Sequence, residues 1–178
     1  MDRLMIRPVR RAEYPQVVEL IKQVMLEVNI KDYEETYLRE YVKRYGPAEL
    51  AAFADHPDCH FYVGHWDGEL AACGAVAPSE DRPDALEIRS VYVRPDLEGK
   101  GLGREMMVAL EADPAFQSAP RVVVSASLTA HEFYKKLGYE YENGVKHEED
   151  HDHYWMEKFP GKGSCGEPPH PLDAGGKR

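Results

Sequence analysis

The sequence predicts a single α/β domain, because helical and strand-like segments alternate along a chain long enough to build one core. The chain has 178 residues, of which 43% are hydrophobic, and this length is typical of one domain. We assign residues 1–159 to that domain. Residues 160–178 are rich in Pro and Gly and have no apolar periodicity, so we predict a tail without regular structure.

Helical patterns dominate the first third of the chain. Residues 3–9 favour a short strand, and a long helix is predicted over 11–29. Its apolar residues recur every three or four positions, and we expect this stripe to face a sheet: Tyr14, Val17, Val18, Ile21, Val24, Met25 and Val28. A second helical pattern precedes Gly46-Pro47, and a short helix is predicted over 49–54.

The periodicity changes to two at Cys59, which indicates β-strands. Asp67-Gly68 has the composition of a hairpin turn between two antiparallel strands. Thr129 and Glu132 have the spacing of a capping box at the start of a later helix, and Gly138 is placed to end that helix. The predicted elements are strands at 59–66, 70–78 and 86–93, a helix from about 102 that ends before Pro114, a strand at 121–125, a helix at 129–137, and strands at 139–145 and 153–158.

A glycine-rich turn follows the strand at 86–93 and is the most informative segment of the chain. Pro95 cannot donate a ladder hydrogen bond, so the strand ends and the chain continues through Gly99, Gly101 and Gly103 into a helix. Glycines allow main-chain N–H groups to converge, and the positive end of the helix dipole adds to them. The segment therefore predicts a cradle for phosphate groups.

Two common nucleotide-binding loops do not fit this segment. A Walker loop ends in Lys followed by Ser or Thr, whereas Lys100 lies between glycines and Gly103-Arg104 closes the run. The dinucleotide fingerprint has the spacing G-x-G-x-x-G within a βαβ unit, whereas this chain has G-x-G-x-G. Both kinds of site are excluded.

Charge and composition argue against other classes of partner. The formal net charge is −10, which opposes binding to nucleic acid and gives a small preference for cationic substrates. The sequence has no run of about eighteen apolar residues, the length that would be needed to span a membrane. We expect a cytoplasmic protein. The spacing of the three cysteines fits neither a metal site nor a redox motif: Cys59, Cys73 and Cys165. Isolated cysteines of this kind indicate a reducing compartment.

The histidine-rich segment at 147–153 does not predict a metal site. His151 and His153 would share one face of a strand, but no second cluster completes a tetrahedral set of ligands. We interpret the segment as a solvated loop between strands.

Two motifs together resemble the GCN5-related N-acetyltransferase (GNAT) superfamily. The first is the acyl-CoA loop Gln/Arg-x-x-Gly-x-Gly/Ala, with Glu98, Gly101 and Gly103 at its marked positions. The second is A-x-x-F-Y-x-x-x-G-F/Y, which matches at every marked position from Ala130 to Tyr139. The pair is specific because both motifs occur in the same chain, in order.

Two residues depart from these patterns. Glu98 replaces Gln or Arg, and we expect its carboxylate to point into solvent while backbone amides bind the phosphates. Ser127 stands where many members have an Asn that contacts the pantetheine arm. A hydroxyl makes one of the same hydrogen bonds, so the loss is at most about 1 kcal/mol.

The resemblance implies the GNAT fold, with a mixed, mostly antiparallel central sheet flanked by helices and split between strands 4 and 5. It implies acetyl-CoA as the acyl-donor cosubstrate, with its pantetheine between those strands. Main-chain groups of Val91 and Val93 would pair with the pantetheine, and an N–H of strand 4 would polarise the thioester carbonyl. The residues expected to bind the cofactor are Val91, Tyr92, Val93, Glu98, Gly99, Lys100, Gly101, Leu102, Gly103, Arg104, Ser127 and Phe133.

The resemblance also implies catalytic roles for two residues. Tyr134 matches the position that protonates the CoA sulfur, and a phenol with a reference pKa near 10 is able to donate at pH 7. Glu87 matches a glutamate of histone-type members that deprotonates the acceptor. The sequence leaves open that Tyr134 packs against cofactor or core, and that Glu87 faces solvent beside Arg89. Tyr33 and Tyr37 would line the acceptor site, or pack in a core.

We therefore expect an N-acetyltransferase that moves an acetyl group from acetyl-CoA to a primary amine of a small, unidentified acceptor, by direct attack in a ternary complex. Three alternatives stay open: a non-catalytic acyl-CoA binding module, a transferase for lysine or N-terminal amines of proteins, and an interaction protein that recruits a partner. We expect no nucleic-acid or membrane partner. Dimers are common in the family that the chain resembles, so a homodimer is also an expectation.

Overall fold

The computed structural model describes residues 4–149 and 152–161, and its strands form one sheet. The strands are β1 (Leu4–Pro8), β2 (His60–Trp66), β3 (Glu69–Pro78), β4 (Leu86–Val93), β5 (Val122–Ser127), β6 (Glu140–Tyr141), β7 (Glu148–Glu149) and β8 (His153–Lys158). Their order is β1-β2-β3-β4-β5-β8-β6, with β7 also paired to β8. All pairs are antiparallel except β4 and β5, which are parallel. The mixed, mostly antiparallel sheet is confirmed.

Helices cover both faces of this sheet. They are α1 (Tyr14–Glu27), α2 (Glu35–Arg44), α3 (Pro47–Ala54), α4 (Leu102–Glu111), α5 (Pro114–Ser118) and α6 (His131–Lys136), with short 3-10 turns at Arg11–Glu13, Asn29–Lys31, Pro95–Leu97 and Glu142–Gly144. No helix in the described ranges is long and apolar enough to cross a membrane.

Two hydrophobic clusters hold the layers together. The stripe of α1 is buried, as its spacing predicts, and it packs with Leu50 of α3 and Phe61 of β2. On the other face, Met106 of α4 packs with Ile88 of β4 and Val124 of β5. Burial of these side chains is the main stabilising contribution to the fold.

The pairing of β4 with its neighbours is irregular, and this irregularity shapes the site. Cys73 of β3 pairs with Tyr92, but Ala75 pairs with Arg89, so two residues of β4 oppose one residue of β3. This is a β-bulge, and Ser90 within it has a φ of 56°, a backbone conformation that is uncommon for a residue with a side chain. The ladder between β4 and β5 extends over Leu86–Ile88 and 122–124. Beyond it the two strands separate, as expected from the resemblance.

Two expectations for the C-terminal half are wrong. Thr129 does not cap α6, because the N-cap residue is Ala130, and the Thr129 hydroxyl donates to the Asp32 carboxylate over 2.6 Å. The strand predicted at 139–145 is paired at Glu140–Tyr141 alone, since Asn143 and Gly144 take positive φ values of 55° and 71° and form a turn. The tail prediction for 162–178 lies outside the described residues.

Candidate active site

The glycine-rich loop between β4 and α4 presents unpaired backbone amides at a helix start. Gly99 and Gly101 have φ values of 74° and 86°, which glycine adopts without a steric penalty. Gly101 is the N-cap of α4 and supplies no side chain to cap it. The first intrahelical bond runs from the N–H of Glu105 to the carbonyl of Gly101, over 3.0 Å. The N–H groups of Leu102 and Gly103 therefore have no acceptor within the helix and are available to an anion.

A slot of about 460 Å³ runs from this loop toward α6. Val24 and Val28 from the apolar stripe of α1 also line it. The predicted cofactor residues that line the slot are Val91, Tyr92, Val93, Glu98, Gly99, Gly101, Leu102, Gly103, Arg104 and Phe133. Lys100 is exposed and lies outside the slot, whereas Glu98 is exposed but lines it.

The free edge of β4 turns backbone N–H groups toward the gap between β4 and β5. Before the bulge, the N–H of Leu86 donates to the carbonyl of Arg121 next to β5; after it, the N–H of Arg94 donates to Ala71 of β3. Successive residues of a strand point their N–H groups to opposite sides. Because the N–H of Arg94 points to β3, those of Val93 and Val91 point the other way, into the gap between β4 and β5. The bulge thus shifts the alternation so that both valines present their amides there.

A second cavity, which we call the inner cavity, adjoins the slot and has a volume of about 260 Å³. Val91, Tyr92 and Tyr134 line both spaces. The inner cavity brings Glu87 together with Tyr134 and also contains Ser127. The two residues with expected catalytic roles therefore share one space, which lies where β4 and β5 part.

Glu87 is buried rather than on the solvent side of its strand. Glu87 is 7% exposed, and one of its carboxylate oxygens accepts a hydrogen bond from the Ser79 hydroxyl over 2.8 Å. The ion pair with Arg89 is long, at 3.9 Å between Nε and Oε1. Burial raises the pKa of Glu87 above its ordinary value, against the opposing effects of Ser79 and Arg89. A buried carboxyl of this kind in a cavity is typical of a functional group.

Tyr134 is packed in the core, and it also lines both spaces. Its ring lies edge-to-face with Phe133 and Tyr139, at centroid distances of 5.1 and 5.8 Å. Burial raises the pKa of the Tyr134 phenol well above its ordinary value. The phenol is therefore neutral at physiological pH and able to donate a proton.

Of the two tyrosines predicted to line an acceptor site, Tyr33 lies in the inner cavity with Glu87. Burial raises its pKa to about 12. Tyr37 is 61% exposed and lies in a third space of about 480 Å³, which we call the aromatic cavity. Tyr41 lines both the inner cavity and the aromatic cavity and connects them.

Some residues of the site escaped the sequence analysis. Ser79 orients Glu87 from the end of β3, and Ser90 forms the bulge, but neither belongs to a recognisable motif. Arg89 is different, because strand alternation places it on the same side as Glu87. That spacing is the signal that could have identified it as part of the site.

The described residues of the histidine-rich segment, like Cys59 and Cys73, are not among the residues that line the three cavities. Within residues 4–149 and 152–161, no group of three or more His, Cys, Asp or Glu side chains converges to hold a metal ion. His151 and Cys165 lie outside the described residues. Cys59 and Cys73 are free and buried.

Solved structures of similar fold include several acetyltransferases. In fold, the chain is similar to the PaiA N-acetyltransferase from Thermoplasma acidophilum in complex with coenzyme A, with TM-score 0.71 and 16% identity over 88% of this chain and 98% of that one. It is similar to a GCN5-related N-acetyltransferase from Rhodopseudomonas palustris, with TM-score 0.71 and 20% identity over 89% and 97%. It is also similar to yncA from Salmonella typhimurium with its cofactor acetyl-CoA, with TM-score 0.60 and 17% identity over 92% and 98%.

The family assignment comes from a match along the sequence itself. Residues 26–139 match the model of the acetyltransferase (GNAT) family. That range runs from α1, through the glycine loop, to the end of the second motif at Tyr139. It covers more than half of the chain and contains the two catalytic candidates of the inner cavity, Glu87 and Tyr134. The chain therefore belongs to the GNAT family of acetyltransferases.

Proposed function

We propose that this protein transfers the acetyl group of acetyl-CoA to the primary amine of a small acceptor, by direct attack in a ternary complex. The observation that supports this most is that Glu87 and Tyr134 line one cavity that adjoins a slot beginning at the glycine loop. Two proteins of similar fold were solved with coenzyme A or acetyl-CoA. A cytoplasmic location and a homodimer stay predictions from the sequence.

The residues of the slot fit acetyl-CoA. A Cβ built on Gly99 or Gly101 meets no atom within 4 Å, so the space in front of the loop is open to phosphates. The amides of Leu102 and Gly103 would bind those phosphates, and the edge amides of Val91 and Val93 would pair with the pantetheine. When bound, acetyl-CoA supplies an activated acyl group as its thioester.

Glu87 acts as the base in this proposal. An amine is protonated at neutral pH and must lose a proton before it can attack a carbonyl carbon. The raised pKa of Glu87 makes its carboxylate a better proton acceptor than an exposed one. The hydrogen bond from Ser79 fixes the orientation of the carboxylate, so Glu87 receives the proton directly or through one water molecule.

The edge of β4 stabilises the negative charge on the carbonyl oxygen, and α6 supplies the proton for the departing sulfur. The N–H groups of Val91 and Val93 face the gap, where either could donate to the carbonyl oxygen as it gains negative charge. Tyr134 donates its phenolic proton to the departing sulfur. The new C–N bond forms as the C–S bond breaks. The first proton of the ammonium group passes from Glu87 to solvent, and the second, lost from nitrogen as the amide forms, replaces the one that Tyr134 gives to the sulfur.

Release of the CoA thiol in the presence of a panel of primary amines tests this function. We expect release that depends on the amine and that falls sharply in Tyr134→Phe. Tyr139→Phe is the matched control, because Tyr139 is buried next to Tyr134 but lines neither cavity. Binding of acetyl-CoA without release by any amine would instead support a non-catalytic module. Release restricted to lysine-containing or N-terminal peptides would support a protein acetyltransferase.

A further inference from the structure

The aromatic cavity extends the inner cavity away from the slot and has no role in the steps above. Tyr41, Arg89 and Ser90 line both cavities, so a molecule whose amine reaches Glu87 extends into the aromatic cavity. The cavity volume of about 480 Å³ suits a small molecule. This space is therefore available to the part of an acceptor that does not react.

Aromatic rings form much of its wall. Tyr41 and Tyr45 are stacked, with centroids 5.6 Å apart and an interplanar angle of 18°. Tyr37 and Phe53 also line the space, and Tyr37 and Tyr41 are 61% and 39% exposed. Exposed aromatic faces around a concave site favour a flat or large apolar group.

Arg89 adds a positive charge whose ion pairs within the protein are long. Its guanidinium lies 4.7 Å from the centre of the Phe53 ring. The nearest carboxylates are those of Glu80, at 3.8 Å, and Glu87, at 3.9 Å. Both distances exceed that of a hydrogen bond, and Arg89 donates none to the other described residues. A guanidinium presented in this way suits a ligand carboxylate, which it can bind through two parallel hydrogen bonds.

The other charged residues of the aromatic cavity strengthen this preference. Arg44 lines the cavity and forms no ion pair with another residue of the described ranges. Glu40 is paired with Lys43 at 2.6 Å, and Glu49 accepts a hydrogen bond from the N–H of Gly46 at 2.9 Å. Among the described residues, neither Arg44 nor Arg89 donates a hydrogen bond to a carboxylate, whereas Glu40 and Glu49 each accept one.

We propose that the acceptor is a free α-amino acid with an aromatic or large apolar side chain. Its ammonium group lies at Glu87, its carboxylate on Arg89, and its side chain among the rings of Tyr37, Tyr41 and Phe53. An α-amino acid carries its two charges on one carbon, which matches a carboxylate and a guanidinium 3.9 Å apart. The inference rests on the proposed function, because it names the acceptor of that reaction.

A polyamine fits the same surface poorly. Its second ammonium group would enter a space where Arg44 and Arg89 repel it, while the carboxylates of Glu40 and Glu49, which also line the space, already accept hydrogen bonds from the protein. The net charge of −10 points the other way, but it is spread over the whole surface and is screened beyond about 10 Å. The charges within the cavity therefore decide the preference.

Matched pairs of amines test the proposal: phenylalanine with 2-phenylethylamine, tyrosine with tyramine, and leucine with isopentylamine, plus spermidine. We expect kcat/KM for thiol release to be about tenfold or more higher for the amino acids than for their decarboxylated partners. Arg89→Gln should remove this ratio, and Arg89→Lys should keep part of it. Arg39→Gln is the control, because Arg39 is also on α2 with Arg44 but pairs with Glu35 and lies outside the cavity.

Calorimetric titration of phenylalanine into protein saturated with CoA gives a second readout. Heat that is absent with 2-phenylethylamine and lost in Arg89→Gln supports the site, even if no turnover occurs and the proposed function fails. Equal or faster turnover of the decarboxylated amines or spermidine overturns the amino-acid proposal and leaves the acetyltransferase proposal intact. Absence of both turnover and heat with every amino acid overturns the amino-acid proposal, and absence of turnover with every other amine as well overturns the acetyltransferase proposal.

Discussion

The carboxylate of Glu87 and the phenol of Tyr134 line one cavity although they belong to different layers of the fold, β4 and α6. Both are 7% exposed. Burial favours the neutral form of each group, so it strengthens the carboxylate as a base and keeps the phenol protonated. Burial thus makes Glu87 a stronger base, whereas for Tyr134 it keeps the proton on the phenol.

The pH dependence of turnover should report on Glu87. Because its pKa is raised, we expect kcat/KM to fall as the pH decreases through a value above that of an ordinary glutamate. In Ser79→Ala this acidic limb should move to higher pH, since the lost hydrogen bond lowers the pKa in the wild type. Glu87→Gln should lose the limb and about 100-fold or more of kcat. A limb that is unchanged in both variants would exclude Glu87 as the base.

Stability should change in the opposite direction to activity when Glu87 is replaced. A carboxyl whose pKa is raised by folding lowers the free energy of unfolding once it ionises. This loss of stability is absent when the pH is below the pKa that Glu87 has in the unfolded chain. It develops as the pH rises through the higher pKa that Glu87 has in the folded protein. Urea unfolding should therefore show Glu87→Gln to be more stable than the wild type at pH 8, with a smaller gain at pH 4. A variant less stable at pH 8 would indicate that Glu87 is a structural residue.

Two glycines with similar backbone angles separate stability from ligand binding. Gly101 and Gly68 have φ values of 86° and 88°, and neither has an atom within 4 Å of an added Cβ. Alanine at either position should cost about 1 kcal/mol of stability, because a side chain disfavours this conformation. Calorimetry should show weaker CoA binding in Gly101→Ala alone, since Gly68 lies in the hairpin between β2 and β3. Equal CoA affinity in both variants would contradict the phosphate cradle.

Asp113 should contribute stability that depends on pH. Burial opposes its ionisation, but hydrogen bonds from Tyr62, from His60 and from the N–H of Ala115 outweigh burial and lower its pKa. A depressed pKa adds stability above the unfolded value, and that stability is lost as the pH falls through the folded value. Asp113→Asn should cost about 1–3 kcal/mol at pH 7 in urea unfolding.

A control and an acidic measurement make that prediction specific. Asp58→Asn replaces an exposed aspartate and should change stability little at any pH. At pH 3 the difference between the wild type and Asp113→Asn should shrink. A difference that is the same at pH 3 and pH 7 would show that the charge of Asp113 is not involved.

Local chemistry explains which elements the sequence could predict. The stripe of α1, the hairpin at Asp67-Gly68 and the glycine loop each depend on residues close together in the chain, and all three are present. Asn143-Gly144 has the composition of a turn, but we predicted a strand across it, over 139–145. The structure has the turn. Signals of this kind can be read without tertiary information.

Long-range contacts explain the rest. Thr129 has the right spacing for a cap, but Asp32, far away in sequence, takes its hydroxyl instead. The bulge at Ser90 contains no glycine that would have indicated it in the sequence. The hydrogen bond from Ser79 to Glu87 joins two different strands. The burial of Glu87, which a strand pattern leaves open, follows from these contacts. The aromatic cavity is assembled in the same way, from α2, α3 and β4.

Transfer of an isotopically labelled acetyl group tests the central claim most directly. Wild-type protein is incubated with labelled acetyl-CoA and a panel of primary amines, and the labelled N-acetyl product is quantified by mass spectrometry beside Tyr134→Phe and Tyr139→Phe. We predict labelled amide with the wild type and Tyr139→Phe, and about 100-fold less with Tyr134→Phe. Acetyl-CoA that binds to the wild type while no amine gains the label, or equal labelling by Tyr134→Phe, would contradict the account.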